Sequence, residues 1–258
     1  MILLTPDQTA VLKSWFLPER PGPLVGSHVI QTGHGVCRVD RWPDPRAVLV
    51  ETAGNYALLG EPAVLQPADP KPHIFGVVEA AENFEPLLRA AFPDLKVWPR
   101  VRFELDTPLR PARTGPYTVR RLEPVDGPLL QKLSPEVNWI SKTWGGPAGL
   151  ASSGYGWGAF AARRLVSVSC TFFLGERYEE IGVVTEARFR GLGLSQACAV
   201  ALCLDIQQRG HRPSWTTSPD NVASVRVAEK LGFAFSRKDR LYVIRVPIPK
   251  PAHRKPVE

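Results

Sequence analysis

The stretch from Ile181 to Ser195 restricts the possible folds of this chain more than any other part of it. It begins with an apolar run, Ile181–Thr185, that is typical of a buried strand, and it continues through a loop containing Gly191 and Gly193. A long apolar helix is predicted next, over Leu194–Arg209, and the glycine that follows ends it. A strand that passes through a glycine loop into a helix favours a layered fold of helices on a sheet.

The loop and the first turn of this helix form a predicted anion-binding site. Glycine lets the backbone approach an oxygen closely, and the free N–H groups of a first helical turn add the positive end of the helix dipole. Arg188 and Arg190 supply cationic side chains, and no acidic residue lies between Ala187 and Leu204. The segment is therefore consistent with binding of a pyrophosphate.

Two common phosphate-binding motifs do not fit this loop. A P-loop requires a lysine directly after its second glycine, and none follows Gly193. A dinucleotide-binding turn requires a third glycine at the position of Gln196. A second pattern lies downstream, in a helix predicted over Asn221–Leu231 that runs into Lys230-Leu-Gly-Phe233.

Together, the two patterns resemble the signature of the GNAT N-acetyltransferase superfamily. Arg188-x-x-Gly191-x-Gly193 is similar to the loop that holds the pyrophosphate of acetyl-CoA, and the Asn221 helix is similar to the second family motif. The resemblance covers Tyr117–Val246. Within the superfamily, the strings Arg209–Trp215 and Ala228–Phe233 resemble a two-domain branch that includes zwittermicin-resistance-type acetyltransferases.

The resemblance implies that acetyl-CoA is the cofactor and indicates which residues contact it. The strand before the loop would bind the pantetheine arm through its main chain, and the Val183 N–H would stabilise the oxyanion of the transferred group. The residues expected to bind the cofactor are Val183, Val184, Thr185, Arg188, Arg190, Gly191, Gly193, Leu194, Ser195 and Asn221.

Acetyl transfer to an amine also needs a base and a route for a proton to the leaving thiolate. Glu179 and Glu180 precede the strand, where similar enzymes place a carboxylate, and Glu180 is the expected base because it is nearer the strand; a solvated edge is the alternative. The usual family tyrosine is replaced by Ala228. Ser224 is the candidate substitute acid, Tyr242 is a second candidate, and departure of the thiolate without an enzymic acid is the third possibility.

Charge and proline content predict two parts in the chain. Residues 1–116 carry 12 Lys and Arg against 13 Asp and Glu, whereas residues 117–258 carry 20 against 12. The proline-rich segment 107–116 suits neither a helix interior nor a central strand. We therefore predict an N-terminal domain over 1–106, a linker over 107–116, an acetyltransferase domain over 117–247 and a basic tail over 248–258.

The expected fold class is α/β (α+β), a mixed and mostly antiparallel GNAT-like sheet flanked by helices. The N-terminal domain is expected to be a smaller α/β unit, with a degenerate GNAT-like copy as one alternative, and to help form the acceptor cleft. Predicted strands are Val36–Trp42, Ala47–Leu59 with an internal turn, Ile74–Glu79, Val97–Leu105, Tyr117–Leu122, Gly156–Ala162, Leu165–Phe173, Ile181–Thr185, Pro213–Thr217 and Leu241–Val246. Further predicted helices are Pro6–Phe16, Asn83–Phe92 and Pro124–Ser134.

The remaining composition excludes several function classes. No apolar run reaches the roughly 20 residues of a membrane span, and the four cysteines form no metal-binding pair, so we predict no membrane partner, no metal and a reducing, cytoplasmic setting. The basic half lacks a nucleic-acid-binding motif. The expected partner is an amine acceptor, either a small molecule or a protein, facing a segment that contains Trp139, Trp144 and Trp157. A CoA-binding sensor or scaffold without catalysis is the alternative function.

Overall fold

All strands in the described part of the chain join in a single twelve-stranded sheet. The computed structural model describes residues 1–110 and 116–249. The strands are β1 (Ile2–Leu3), β2 (Val36–Val39), β3 (Ala47–Thr52), β4 (Asn55–Gly60), β5 (Gly76–Ala80), β6 (Lys96–Glu104), β7 (Thr118–Arg121), β8 (Gly156–Ala161), β9 (Arg164–Leu174), β10 (Tyr178–Thr185), β11 (Arg212–Thr217) and β12 (Ala234–Ile244).

Helices cover both faces of this sheet. They are α1 (Pro6–Val11), α2 (Val25–Thr32), α3 (Glu85–Ala91), α4 (Gly127–Gln131), α5 (Pro147–Ser153), α6 (Leu194–Gln208) and α7 (Val222–Lys230). Short 3-10 turns occupy Leu12–Phe16, Pro62–Val64, Glu82–Phe84, Pro124–Asp126, Asn138–Trp144 and Ala187–Phe189.

The strand order shows the same connectivity twice. It runs β1-β2-β3-β4-β5-β12 from one edge and β7-β8-β9-β10-β11-β6 from the other. Among the described strands, β4 with β5 and β10 with β11 are the parallel pairs, and all other neighbours are antiparallel. Each half therefore has five strands of its own and takes its sixth, central strand from the other half.

The exchanged strands hold the two halves together. β6, from the N-terminal half of the sequence, pairs with β11 and along most of its length with β12. The predicted domain boundary at 107–116 stays a prediction, and residues 111–115 of that segment lie outside the described residues. Most of the predicted tail, residues 250–258, lies outside them as well.

The predicted mixed fold and each predicted helix and strand are confirmed, with differences at their ends. β12 begins at Ala234 rather than Leu241. Pro99 does not interrupt β6, which pairs continuously with β12 at this position. The prediction missed α2 and α5, because Gly, Ser and His in α2 and Pro, Gly and Ser in α5 are poor helix formers whose helices depend on packing.

The sheet positions the candidate site between two packed layers. α6 and α7 cover one face of the C-terminal half, where Phe103, Ile181, Trp215 and Ala228 are buried. α4, α5 and the turn Asn138–Trp144 pack against the other face. Cys198 and Cys203 of α6 are fully buried in the core.

Candidate functional site

The parallel strands β10 and β11 separate after three residue pairs. Tyr178, Glu179 and Glu180 face Arg212, Pro213 and Ser214, and within the described ranges no strand pairs with the β11-facing edge of Ile181–Thr185. The pairing of β10 with β9 is irregular between Glu180 and Ile181, and a bulge at this point bends the strand. Backbone N–H and C=O groups along the open edge are therefore available to a ligand.

A cavity of about 610 Å³ lies in the gap between the two strands. Residues of both halves form its walls. The C-terminal half contributes Glu180, Ile181, Gly182, Val183, Val184, Thr185, Arg190, Trp215, Thr216, Thr217, Ser218, Asn221 and Ser224, and the N-terminal half contributes Tyr56, Val77, Glu79, Trp98 and Arg100, among others.

The N-terminus of α6 lies just beyond the open edge. The first N–H groups of a helix have no intrahelical partner, and no side chain of the described residues caps them here, so they are available to a ligand. Gly191 and Gly193 have positive φ values of 83° and 75°, a conformation that favours glycine. A Cβ atom on Gly193 would have nothing within 4 Å, so the loop leaves space in front of the helix. Leu194 is buried beneath it and Ser195 is partly exposed.

The two loop arginines differ in their surroundings. Arg188 is exposed at the loop. Arg190 donates from Nε to the Thr185 carbonyl oxygen at 3.2 Å and pairs with Glu136 at 2.7 Å. Arg188 is therefore the more accessible cation, whereas Arg190 closes the loop against the end of β10.

Asn221 and Ser224 line the opposite wall of the cavity. The Asn221 carboxamide oxygen accepts from the Ser224 N–H at 3.3 Å, which caps α7. The Ser224 hydroxyl accepts from Trp215 Nε1 at 2.9 Å, which leaves its own proton to donate. Ala228 is fully buried in the core under α7, one turn further along.

Tyr242 does not line the cavity. Its side chain is fully buried on β12, and its hydroxyl donates to Glu85 at 3.2 Å. Burial raises the pKa of this phenol, and the neighbouring Glu85 charge raises it further. Of these two candidates, Ser224 lines the cavity and Tyr242 does not.

Glu179 and Glu180 point to opposite faces of the sheet. Glu180 lines the cavity, is 5% exposed and accepts from the Ser214 hydroxyl at 2.6 Å. Glu179 is fully buried on the α6 side, where it binds Arg209 through two hydrogen bonds of 3.0 and 2.8 Å and His211 at 2.9 Å. Glu180 is therefore the carboxylate that can reach a ligand.

Sequence reasoning did not identify Arg100 as a residue of this site. It lies on β6, stacks over Trp98 at 4.0 Å from the ring centroid, and donates to the Thr216 carbonyl oxygen at 3.2 Å. Burial lowers its pKa to about 10, and the charge of Glu180 opposes this shift. The alternation of Trp98, Arg100 and Arg102 with apolar Val97, Pro99, Val101 and Phe103 is a signal that could have placed it on a polar strand face.

Of the three tryptophans considered as part of an acceptor wall, the structure brings Trp139 to the cavity. Trp139 packs edge-to-face with Phe172, with ring centroids 5.3 Å apart, and both line the cavity. Trp144 is buried and donates to the Thr171 carbonyl oxygen at 2.7 Å. Trp157 packs against the core formed with α6.

The described residues offer neither a metal-binding cluster nor a membrane-spanning helix. No group of three or more His, Cys, Asp or Glu side chains within 1–110 and 116–249 is arranged to hold a metal ion. None of the helices in the same ranges combines the length and apolar character needed to cross a membrane.

Comparison with known proteins identifies the family. The model of the GNAT acetyltransferase family matches residues 23–242. An uncharacterized N-acetyltransferase in the mutA 5′ region of Streptomyces virginiae is 40% identical over 214 residues, which cover 82% of this chain and 90% of the relative.

Solved structures share the fold at low sequence identity. A GCN5-related N-acetyltransferase-like protein from Streptococcus suis superposes with a TM-score of 0.69 at 18% identity, covering 92% of this chain and 98% of the other. A tandem GNAT protein from the clavulanic acid biosynthesis pathway gives a TM-score of 0.58 at 14% identity, covering 96% and 99%. Given the family match and the homologous N-acetyltransferase, this chain belongs to the GNAT acetyltransferase family and is an acyltransferase.

Proposed function

We propose that the protein is an acetyl-CoA-dependent N-acetyltransferase that moves an acetyl group to a primary amine of a small molecule or a protein. The observation that carries the proposal is the open edge of β10, which leads directly to the uncapped N-terminus of α6. Pantetheine needs backbone hydrogen bonds and a pyrophosphate needs N–H groups and cations, so these features fit the group.

The cofactor would be held by the residues that the sequence motif indicates. The main chain of Val183, Val184 and Thr185 would bind its pantetheine arm, with the Val183 N–H also facing the thioester oxygen. Gly191, Gly193, Leu194 and Ser195 would present N–H groups to the pyrophosphate, with Arg188 and Arg190 beside it and Asn221 on the facing wall. Acetyl-CoA would supply the activated acetyl group as a thioester.

Proton transfer would involve the two walls of the cavity. Glu180, held by the Ser214 hydroxyl, would take the proton from the attacking amine. The amine nitrogen would then bond to the acetyl carbon as the carbon–sulfur bond breaks. Ser224, oriented by Trp215, would pass a proton to the departing sulfur and regain one from solvent. A thiol has an unperturbed pKa near 8.5, so this last step needs little assistance.

The N-terminal half would serve as a degenerate copy that shapes the acceptor side. It repeats the strand order of the C-terminal half, and its residues line the cavity opposite β10. However, β4 and β5 stay paired over four residues from Asn55 and Val77. Their connection, residues 61–75, contains a 3-10 turn in place of a helix like α6. We therefore assign catalysis to the C-terminal half.

A CoA-binding sensor or scaffold is the second candidate, and the buried Ala228 at the usual tyrosine position favours it. The two functions are separated by incubating the protein with acetyl-CoA and a panel of amines while measuring release of free CoA thiol and acetylated product. Release of the thiol that depends on the amine, together with an acetylated product, would support the enzyme. Binding of acetyl-CoA without turnover on any amine would support the sensor instead.

A further inference from the structure

We propose that the acceptor is an amine that carries a carboxylate, and that Arg100 is the specificity-determining residue that binds this carboxylate. This inference rests on the proposed acetyltransferase function and deepens it, because it names a substrate class. The residue is contributed by β6, the strand that the N-terminal half inserts beside β11.

The strand register places Arg100 on the same sheet face as Glu180. Glu180 faces Ser214 across β10 and β11, and Thr216, two residues further along β11, faces Arg102 on β6. Side chains two residues apart on a strand share a face, so Arg100 lies on this face as well. Both Glu180 and Arg100 line the cavity, and a single acceptor can therefore meet both.

The hydrogen bonds of Arg100 are incomplete. Its Nη2 donates to the Thr216 carbonyl oxygen, whereas its buried Nε has no hydrogen-bond partner within the described part of the chain. Across residues 1–110 and 116–249, no carboxylate forms an ion pair with it. By contrast, its neighbour Arg102 pairs with both Glu79 and Asp239.

Arg100 is partly buried, and its Nε atom is fully buried. Such a guanidinium without a carboxylate partner is costly, because burial disfavours the charged form. The pKa of Arg100 near 10 still leaves it positively charged at neutral pH. A carboxylate on the acceptor would complete its hydrogen bonds, and Arg is well suited to bind one through two parallel bonds. Stacking on Trp98 holds the guanidinium plane in place for this contact.

The other charged side chains of the cavity leave Arg100 as the best carboxylate receptor. Arg190 is paired with Glu136, and Lys142 is exposed at the rim. Glu180 is acidic and would repel a carboxylate, and Glu79 is paired with Arg102. The negative group of the acceptor is therefore drawn to Arg100, while its amine is drawn to Glu180.

The test compares acceptors that differ only in this charge. The specificity constants kcat/KM for glycine, alanine, phenylalanine, lysine and glutamate are measured with saturating acetyl-CoA and compared with those of the corresponding α-amides. The amino group of an α-amide has a lower pKa than that of the free amino acid, so a larger fraction of it is neutral and reactive at pH 7.5. Without any recognition of the carboxylate, the amides would therefore react faster. We expect kcat/KM to be about 10- to 100-fold higher for the free carboxylates than for the amides. This ratio corresponds to the free energy of one hydrogen bond to a charged group.

Variants then assign the preference to Arg100. Arg100→Gln is expected to remove it, and Arg100→Lys, which keeps the charge, to retain part of it. Arg46→Gln is the matched control, because Arg46 pairs with Glu61 and does not line the cavity, and it should keep the full preference. Circular dichroism and the affinity for acetyl-CoA establish that Arg100→Gln is folded.

Three results would overturn the proposal: amides used as well as the free acids, a preference that survives in Arg100→Gln, or turnover of none of these carboxylates by a protein that binds acetyl-CoA. The last result leaves the proposed function standing, because that function includes neutral amines, which are then tested with the same preparation. Failure to bind acetyl-CoA would instead remove the proposed function, and this inference with it.

Discussion

The side chains of the adjacent residues Glu179 and Glu180 bind partners on opposite faces of β10. Glu179 is locked to Arg209 and His211 at the end of α6, whereas Glu180 binds Ser214 and borders the cavity. Alternation along the strand thus separates a structural carboxylate from one that can meet a ligand. The same conservative substitution should therefore have different consequences at the two positions.

At position 179, Glu179→Gln should lower stability. The substitution removes one of the two buried carboxylates that bind Arg209, and loss of one member of such a pair costs about 3 kcal/mol or more. We expect the free energy of unfolding to fall by about 3 kcal/mol and not more, because Arg209 is 24% exposed and keeps its pairing with Asp205. Urea unfolding of the two proteins at pH 7.5 measures the difference, and a variant as stable as the parent would contradict the structural role.

At position 180, Glu180→Gln should lower turnover. A positioned general base contributes about 100- to 10,000-fold, so kcat for amine acetylation should fall within this range while affinity for acetyl-CoA is kept. Steady-state kinetics and calorimetry measure the two quantities separately. Ser214→Ala is a milder change, because it keeps the Glu180 carboxylate and removes the hydroxyl that donates to it. Full activity of Glu180→Gln would mean that the base lies elsewhere.

At position 224, Ser224→Ala should have a smaller effect. We expect kcat to fall by about 10-fold or less, because a thiol is already a tolerable leaving group. The Asn221 cap uses the Ser224 backbone N–H, so α7 should be unaffected. Ser224→Thr, which restores a hydroxyl, is the control. Unchanged kcat in the alanine variant would show that the sulfur takes its proton from solvent.

His28 joins the two halves through a neutral imidazole. It is fully buried on α2, its Nε2 donates to the Thr143 carbonyl oxygen at 2.9 Å, and its Nδ1 accepts from the Leu174 N–H at 3.1 Å. Burial lowers its pKa from 6.5 to about 4; the Thr143 hydrogen bond opposes this shift, and the charge of His34 adds to it.

This depressed pKa predicts acid sensitivity. Between pH 6.5 and about 4, the unfolded chain binds a proton at His28 that the folded protein does not bind. The contribution of His28 to the free energy of unfolding is therefore fully present above pH 6.5 and is lost as the pH falls towards 4. The loss by pH 4.5 should be about 2–3 kcal/mol from this residue. His28→Gln can make both hydrogen bonds without titrating. Its free energy of unfolding, measured with urea, should therefore fall by about 2–3 kcal/mol less than that of the wild type between pH 7 and pH 4.5. Parallel pH profiles of the two proteins would contradict the assignment.

Local patterns predicted much of the C-terminal half. The β10 strand, the α6 helix, the loop between them and the cap of α7 depend on glycine conformation, apolar periodicity and Asn capping, all of which act within a few residues. These features also carry the family motif, which the comparisons confirm at the level of the family.

The exchange of β6 and β12 could not be predicted in this way. Pairing of Lys96–Glu104 with Ala234–Ile244 joins residues far apart in the chain, and no local pattern encodes it. Arg100 was missed for the same reason, because its place beside Thr216 follows from this exchange. The helix α2 was missed because packing, rather than helix propensity, supports its His28-containing segment.

The most direct test of the proposed cofactor site is isothermal titration of acetyl-CoA into the wild-type protein, Gly193→Glu and Gly210→Glu. The two glycines lie at opposite ends of α6, have similar φ values of 75° and 80°, and have open space around an added Cβ, so backbone strain is matched. We predict micromolar binding to the wild type and to Gly210→Glu, with ATP and NADH as non-binding controls. In Gly193→Glu, a carboxylate facing the pyrophosphate should weaken binding by about 100-fold or more. Equal affinity of the two variants, or no binding by the wild type, would contradict the cofactor site.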